Sequence, residues 1–254
     1  MTTRHALGSP LSRSRRAPLT LADVTGHASA TAQGRFITIE GPEGAGKTTQ
    51  AARLEAFLIE RDVPVVRTRE PGGTALGEQI RALLLHPGTG RIDPLADAYL
   101  FNAARHQLVV EVIEPALAAG TSVVCARFAD STRAYQGYGL GLPLDDLEQL
   151  EMIATDGLRP DLTILLDVPV EVGLARKAPD DQTRFETGYD LAFHRRVRNG
   201  FLAMAVAEPG RFVVLDATAP ADAVASRIER SVARLLQELR PRGEPKRAVA
   251  RIQP

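Results

Sequence analysis

The chain is poor in several residues that would announce a chemistry on their own. One cysteine, Cys125, in 254 residues excludes an internal disulfide and a thiolate-rich metal cluster. No apolar run approaches the ~20 residues of a bilayer-spanning helix, so the expected setting is cytoplasmic with no membrane partner. Lysine is scarce, with three in the chain, so a motif that demands lysine arises rarely by chance. Net charge is absent as well, but only as a sum. Arg4, Arg13, Arg15 and Arg16 face Asp23 alone before residue 35, and five cations from Arg240 to Arg251 face Glu244 alone. The middle is therefore acidic, about −7 in net charge, which argues against a body that binds nucleic acid.

Length and a 44 % hydrophobic content suit one globular domain of about 200 residues with spare chain. Residues 1–34 are rich in Ser, Thr, Ala and Arg. "APLTLADV" is too broken for a secretory signal, and although an Arg-rich, acid-poor start is similar to an organelle transit peptide, the expectation is a disordered extension. Residues 240–254, "RPRGEPKRAVARIQP", read as a basic disordered tail. The body is expected at 35–239.

Within it, short β-branched runs alternate with helical patterns. "RFITIE" (35–40), "VPVVRT" (63–68), "TSVVCA" (121–126), "DLTILLD" (161–167) and "RFVVLD" (211–216) read as strands apolar on both faces. Helical periodicity fills the intervals, including two helices over 94–119 and a last one over 220–239. The pattern predicts an α/β fold, a five-stranded parallel sheet with helices on both faces. Ligands of such sheets bind beyond the carboxyl ends of the strands.

"GPEGAGKTTQ" follows the first strand and opens a helix. Gly41, Pro42, Glu43, Gly44, Ala45, Gly46, Lys47 and Thr48 form a complete Walker A pattern, with Thr49 next. Its glycines let backbone N–H groups turn toward phosphate, Lys47 adds a positive charge, the Thr48 hydroxyl suits Mg²⁺, and the helix points its positive end at the same anion. ATP or GTP with Mg²⁺ is the expected donor. No "NKxD" guanine reader is present. Arg69 and Arg127 stand just past the second and third strands, and Phe101 and Arg105 share one face of a helix. An aromatic face plus several guanidiniums suits a nucleoside monophosphate, with the ring on the base and arginines on the phosphate.

These stretches, with "TREPGGT", "LFNAARHQL", "ARFADSTRAYQG", "RPDLTILLDVPVEVGLAR" and "RFETGYDLAFHRRVRNGFLAMA", make residues 35–238 similar to the bacterial thymidylate kinases, a family of P-loop nucleoside monophosphate kinases. The resemblance implies transfer of the ATP γ-phosphate to dTMP, with Mg²⁺, by a homodimer with a helical lid at about 176–188. It implies that Phe101 stacks on thymine and Arg105 bonds its carbonyl edge. Arg69 and Arg127 would hold the acceptor phosphate, and Glu43 would sit near the sugar 3′-hydroxyl and the metal shell. Tyr135 would lie under the deoxyribose, with Ser131, Thr132 and Gln136 lining the base pocket. Arg176 would lie against adenine, read otherwise by backbone near Ala217–Pro220. Lys47, Arg127, Arg184 and Glu43 are the expected catalytic residues.

Two places depart from the family pattern. Ala126 stands where an Asp normally precedes the arginine, and Asp130 is the nearest replacement. The P-loop carries no arginine, so the lid should supply a cation. Yet Asp180 and Asp181 lie where basic residues belong, leaving Arg176, Lys177 and Arg184. The alternatives are a catalytically weakened nucleotide-binding homologue and a kinase for another deoxynucleoside monophosphate. His106, His194 and Cys125 read as packing or surface residues. Asp167 reads equally as an orderer of metal-bound water or a helix cap.

Overall fold

The computed structural model describes residues 34–178 and 182–237. The expected terminal extensions and the pair Asp180 and Asp181 lie outside those residues. Five parallel strands form one sheet: β1 (Phe36–Glu40), β2 (Val65–Arg69), β3 (Ser122–Ala126), β4 (Leu162–Asp167) and β5 (Phe212–Asp216), in the order β2-β3-β1-β4-β5. Each strand begins within two residues of the position read from the sequence. The three inner strands are buried almost throughout, as uninterrupted apolar runs require. The edge strands β2 and β5 are only partly covered, because each has a neighbour on one side alone.

Helices cover both faces. On one, Ile37, Ile39 and Ala126 pack against α1 (Lys47–Ile59) and α10 (Ala221–Gln237). On the other, Phe36, Val123 and Cys125 meet α3 (Pro94–Leu108), while Leu165 and Phe212 meet α9 (Leu191–Ala207). α2 (Ala75–Leu85) lies against α3, and α6 (Leu144–Thr155) packs on α3. The two helices expected over 94–119 are one rod: α3 passes through a wide π-helical turn at Val109–Ile113 into α4 (Glu114–Ala118).

The stretch after β3 carried no helical expectation. It is a single helical turn, α5 (Ala129–Thr132), running into a second π-helical segment, Arg133–Gly139. Gly137 and Gly139 explain why. A β-carbon at Gly137 would strike Leu144 and Leu147, and one at Gly139 would strike Phe193 and Val197. These glycines serve close packing against α6 and α9, which outweighs their poor helix propensity.

Asp130 is fixed beneath the sheet's second face. Its carboxylate takes two bonds from Arg211, at 2.6 and 2.9 Å, and is 1 % exposed. Removing one partner of a buried pair strands the other charge, at about 3–5 kcal/mol. Arg211 retains Glu208 at 2.9 Å, so Asp130→Ala is expected to cost about 3 kcal/mol, read as a lower urea midpoint at unchanged slope.

Candidate active site

The first turn of the site is set by β1 delivering the chain into the P-loop. Gly41, Gly44 and Gly46 all have positive φ, 144°, 67° and 89°. A β-carbon at Gly44 would overlap the carbonyl of Gly173 in α7 (Val170–Ala175), so the loop is seated directly on that helix. At Gly46 a β-carbon would meet nothing within 4 Å. That open side is where phosphate can approach the start of α1. The Lys47 ammonium curls back to the carbonyls of Gly41 and Pro42, at 2.9 and 2.6 Å. Thr48 and Thr49 are exposed in the first turn of α1.

The loop forms one end of a cavity of about 420 Å³. Phe101, Arg105, Ser131, Thr132, Tyr135 and Gln136 line its other end. Arg105 is 1 % exposed and almost fully engaged. It bonds Glu70 through Nε (3.0 Å) and Nη2 (2.8 Å), and Thr132 Oγ1 (2.9 Å), the Phe128 carbonyl (3.2 Å) and Asn102 (2.9 Å). Its Nη1 retains one N–H for the cavity. Phe101 is half-buried one turn earlier on α3, against Phe185.

Arg127 joins the two ends. Its backbone is left-handed, φ 71°, an uncommon state for a side-chain-bearing residue and one concentrated at functional sites. The Arg127 Nη2 donates to Glu43 Oε1 at 2.8 Å, and the Tyr135 hydroxyl donates to the same oxygen at 2.7 Å. Arg127 and Lys47 hold the Glu43 carboxyl well below its ordinary value, against the opposing effect of burial. Burial, reinforced by Arg127, pushes the Lys47 ammonium down to about 7. Beneath this cluster Glu40 is fully buried and accepts from the Phe128 N–H (2.6 Å) and the Ser131 hydroxyl (2.7 Å). Burial and nearby Asp130 push it up to about 7. It therefore ties the turn after Arg127 to the end of β1.

A cavity with a phosphate loop at one end and an aromatic–guanidinium wall at the other suits two nucleotides meeting end to end. The thymidylate kinase family model matches residues 39–228. A thymidylate kinase of Deinococcus radiodurans is 54 % identical over 196 residues, covering 77 % of this chain and 95 % of the relative. One from Trichlorobacter lovleyi is 48 % identical over 204 residues, with 78 % and 96 % covered. The crystal structure of thymidylate kinase from Ehrlichia chaffeensis superposes with a TM-score of 0.63 at 35 % identity, over 80 % of this chain and 99 % of that one. The chain belongs to the thymidylate kinase family.

The structure gathers most of the expected thymidylate kinase residues and moves two away. Arg69 does not reach the main cavity. Glu78 takes its guanidinium at 2.7 and 3.1 Å, and it lines a separate space beside Ala126. Arg81 on α2 lines the main cavity instead, with Nη1 on the Pro71 carbonyl at 2.9 Å. No strand-end signal marks Arg81, which sits mid-helix in "GEQIRALL". Glu40 was missed too, though an acid ending the otherwise apolar "FITIE" is a visible signal.

Arg184 is the second correction. It opens α8 (Arg184–Gly188) but points into the protein, bonded to Asp97 and to the Leu84 carbonyl, away from the phosphate loop. Of the other lid cations, Lys177 lines the cavity and pairs with Glu186 at 3.0 Å, and its charge is felt by both Glu43 and Lys47. Arg176 also lines the cavity and donates to the Ala217 carbonyl at 2.9 Å, on the segment expected to meet adenine. Thr183 caps α8 in a capping box with Glu186.

Asp130 does not stand in for the missing carboxylate, since Arg211 holds it on the opposite face of the sheet from Ala126. Asp167 is bound by Arg198 at 2.7 and 2.8 Å. His106 packs on the Ala154 carbonyl at 3.0 Å and Cys125 is buried, as read. His194 is buried rather than on a solvated face.

The depressed Lys47 pKa has a measurable sign. A Lys47 amine pushed down to about 7 is expected to be mostly neutral near pH 8 before nucleotide binds, and a polyphosphate favours the ammonium. Near pH 8 to 9, between the lowered value and the ordinary one, nucleotide binding should therefore take up most of one proton, falling to about half at pH 7. Calorimetry of ADP binding at pH 8 in buffers of different ionisation enthalpy measures this, and Lys47→Met should abolish the uptake.

Proposed function

We infer that the protein transfers the γ-phosphoryl group of ATP to dTMP, giving dTDP and ADP. The observation that carries the reading is the shared Glu43 oxygen, on which Arg127 and Tyr135 converge. It ties the phosphate loop to the aromatic–guanidinium wall, so donor and acceptor are placed against each other. An oxygen of the dTMP phosphate attacks the γ-phosphorus. The bond from that phosphorus to the β,γ-bridging oxygen breaks, and ADP leaves with the electron pair. The acceptor phosphate is already ionised at neutral pH, so no strong base is needed. The protein contributes orientation and positive charge.

In this reading Lys47 and the loop N–H groups hold the donor, and Arg176 lies on its adenine. Arg127 and Arg81 hold the acceptor phosphate, and Phe101, Arg105 and Gln136 hold the base. Lys177 supplies the lid cation. The Thr48 hydroxyl, exposed in the first turn of α1 and lining the cavity, is the protein oxygen that would hold Mg²⁺. Mg²⁺ commonly takes one or two protein oxygens and completes its shell with phosphate and water. When bound it would supply charge neutralisation for the donor phosphates. Glu43 belongs at its margin, since one carboxylate oxygen is already committed to Arg127 and Tyr135.

No helix among the described residues is long and apolar enough to cross a membrane, in keeping with a cytoplasmic enzyme. A homodimer through α2, α3 and α6 is supported by their exposed Leu83, Tyr99 and Ile153. Sedimentation velocity at micromolar concentration would read twice the chain mass.

The deciding experiment is an ADP-release assay with ATP, Mg²⁺ and dTMP. Turnover of roughly 1–100 s⁻¹ is expected, and silence with dTMP would overturn the reading. Arg81→Ala should raise the dTMP KM by about tenfold or more and leave the ATP KM nearly unchanged, as expected for loss of one charge-assisted phosphate contact. Arg69→Ala should leave the dTMP KM within about threefold. Ala126→Asp should lower the Mg²⁺ concentration that gives half-maximal rate, because it restores an acid beside Thr48.

A further inference from the structure

Asp97 lies on α3 one turn before Phe101 and is 1 % exposed. It is not itself part of the cavity lining, yet it is bonded to two residues that matter. Its Oδ2 accepts from Gln136 Nε2 at 2.8 Å, and its Oδ1 accepts from Arg184 Nη2. Gln136 and Arg184 are themselves buried, at 1 % and 6 % exposure.

The chemistry of this chain is directional. A guanidinium only donates, and a carboxylate beside one only accepts. The Gln136 carboxamide has one donating and one accepting end, and a half-turn of its last torsion exchanges them. Against an acceptor-only partner, reversal would bring two oxygens together in a buried place, where an unmade hydrogen bond is expensive. Asp97 therefore fixes the amide nitrogen toward itself and leaves the carbonyl oxygen of Gln136 for the cavity that it lines. The neighbouring wall is Arg105, which offers a donor.

A donor beside an acceptor matches the O=C–N–H edge of a pyrimidine such as thymine or uracil. Cytosine has the reverse polarity there, an amino group beside a bare ring nitrogen. We propose that Asp97, held in place by Arg184 from the lid segment, is a positioning residue that sets the polarity of Gln136 and thereby selects the imide-type pyrimidine over cytosine. This rests on the dTMP kinase reading and gives Arg184 a role in acceptor choice in place of one at the transferring phosphoryl group.

Asp97→Asn tests it, because the donor-only Arg184 holds the asparagine oxygen and turns its amide nitrogen to Gln136, whose carboxamide is thereby reversed. Relative kcat/KM for dTMP and dCMP is the readout. The dTMP value should fall about tenfold or more and the dCMP value should rise about tenfold, since the reversed amide presents its donor end to the base. A rise on the wrong substrate is something a merely structural loss cannot produce. The ratio is also independent of the folded fraction, which both substrates share. The double variant Asp97→Asn/Arg184→Met buries no stranded guanidinium and serves if the single variant is too unstable to purify. An unchanged dTMP-to-dCMP ratio in whichever variant gives the higher melting temperature overturns the proposal. Wild-type protein that prefers a different monophosphate overturns the parent reading instead, so the two failures are distinguishable.

Discussion

The site depends on one ion pair across the strand ends. Glu43 belongs to the loop after β1, Arg127 to the turn after β3, and the two strands are neighbours in the sheet. Parallel pairing brings both carboxyl ends to the same edge, but it does not by itself fix where the side chains point. The left-handed backbone at Arg127 and the bond from Phe128 N–H to Glu40 do that. The turn after β3 is held from below by a carboxylate on β1, and the guanidinium is held from the side by a carboxylate on the P-loop. Donor and acceptor halves are thus registered to each other by charged groups of β1 and its loop.

That arrangement also accounts for the protein's tolerance of its own charge. Lys47, Arg127, Arg81 and Lys177 all border one cavity. Without bound phosphate their mutual repulsion has to be met by the protein. Glu43 meets part of it. Burial, with Arg127 beside it, also lowers the proton affinity of Lys47. The same cations are those a phosphoryl transfer between two anions requires.

The donor half was legible in the sequence because its chemistry is local: eight consecutive residues make the loop, and strand and helix flank it as the motif demands. The acceptor half was legible in part. Phe101 and Arg105 could be read from one helical turn, and Ser131 to Gln136 from the resemblance. What failed were cations whose duty is decided by a distant partner. Arg69 looked well placed past β2, but Glu78 on the following helix captures it. Arg184 looked like a lid cation, but Asp97, 87 residues away, and the Leu84 carbonyl draw it inward. Spacing along the chain carries no information about either capture. Arg81 was hidden by the opposite error, since a lone arginine in an amphipathic helix looks like a solvated charge until the fold turns that face to a cavity.

Ala126 shows how far local absence can be absorbed by the rest of the site. It is opposite Arg69 in register, on the α1 face of the sheet, and with Thr48 borders a cavity of about 350 Å³. A carboxylate at this point would face Arg69 and the Thr48 hydroxyl together. With alanine there, Arg69 needs another counter-charge, and Glu78 supplies it, also accepting the Gly73 N–H at 2.8 Å. The loop between β2 and α2 is therefore closed by Glu78 rather than by an acid on β3. On the proposed reading Thr48 is then the protein oxygen left to hold Mg²⁺, with nucleotide and water oxygens completing its shell. Such a site suits Mg²⁺, which keeps much of its water shell. The burden of fixing the phosphates then passes to Lys47, Arg127 and the loop N–H groups. Lys47 is held by the Gly41 and Pro42 carbonyls and Arg127 by Glu43, so both cations are fixed by the loop after β1.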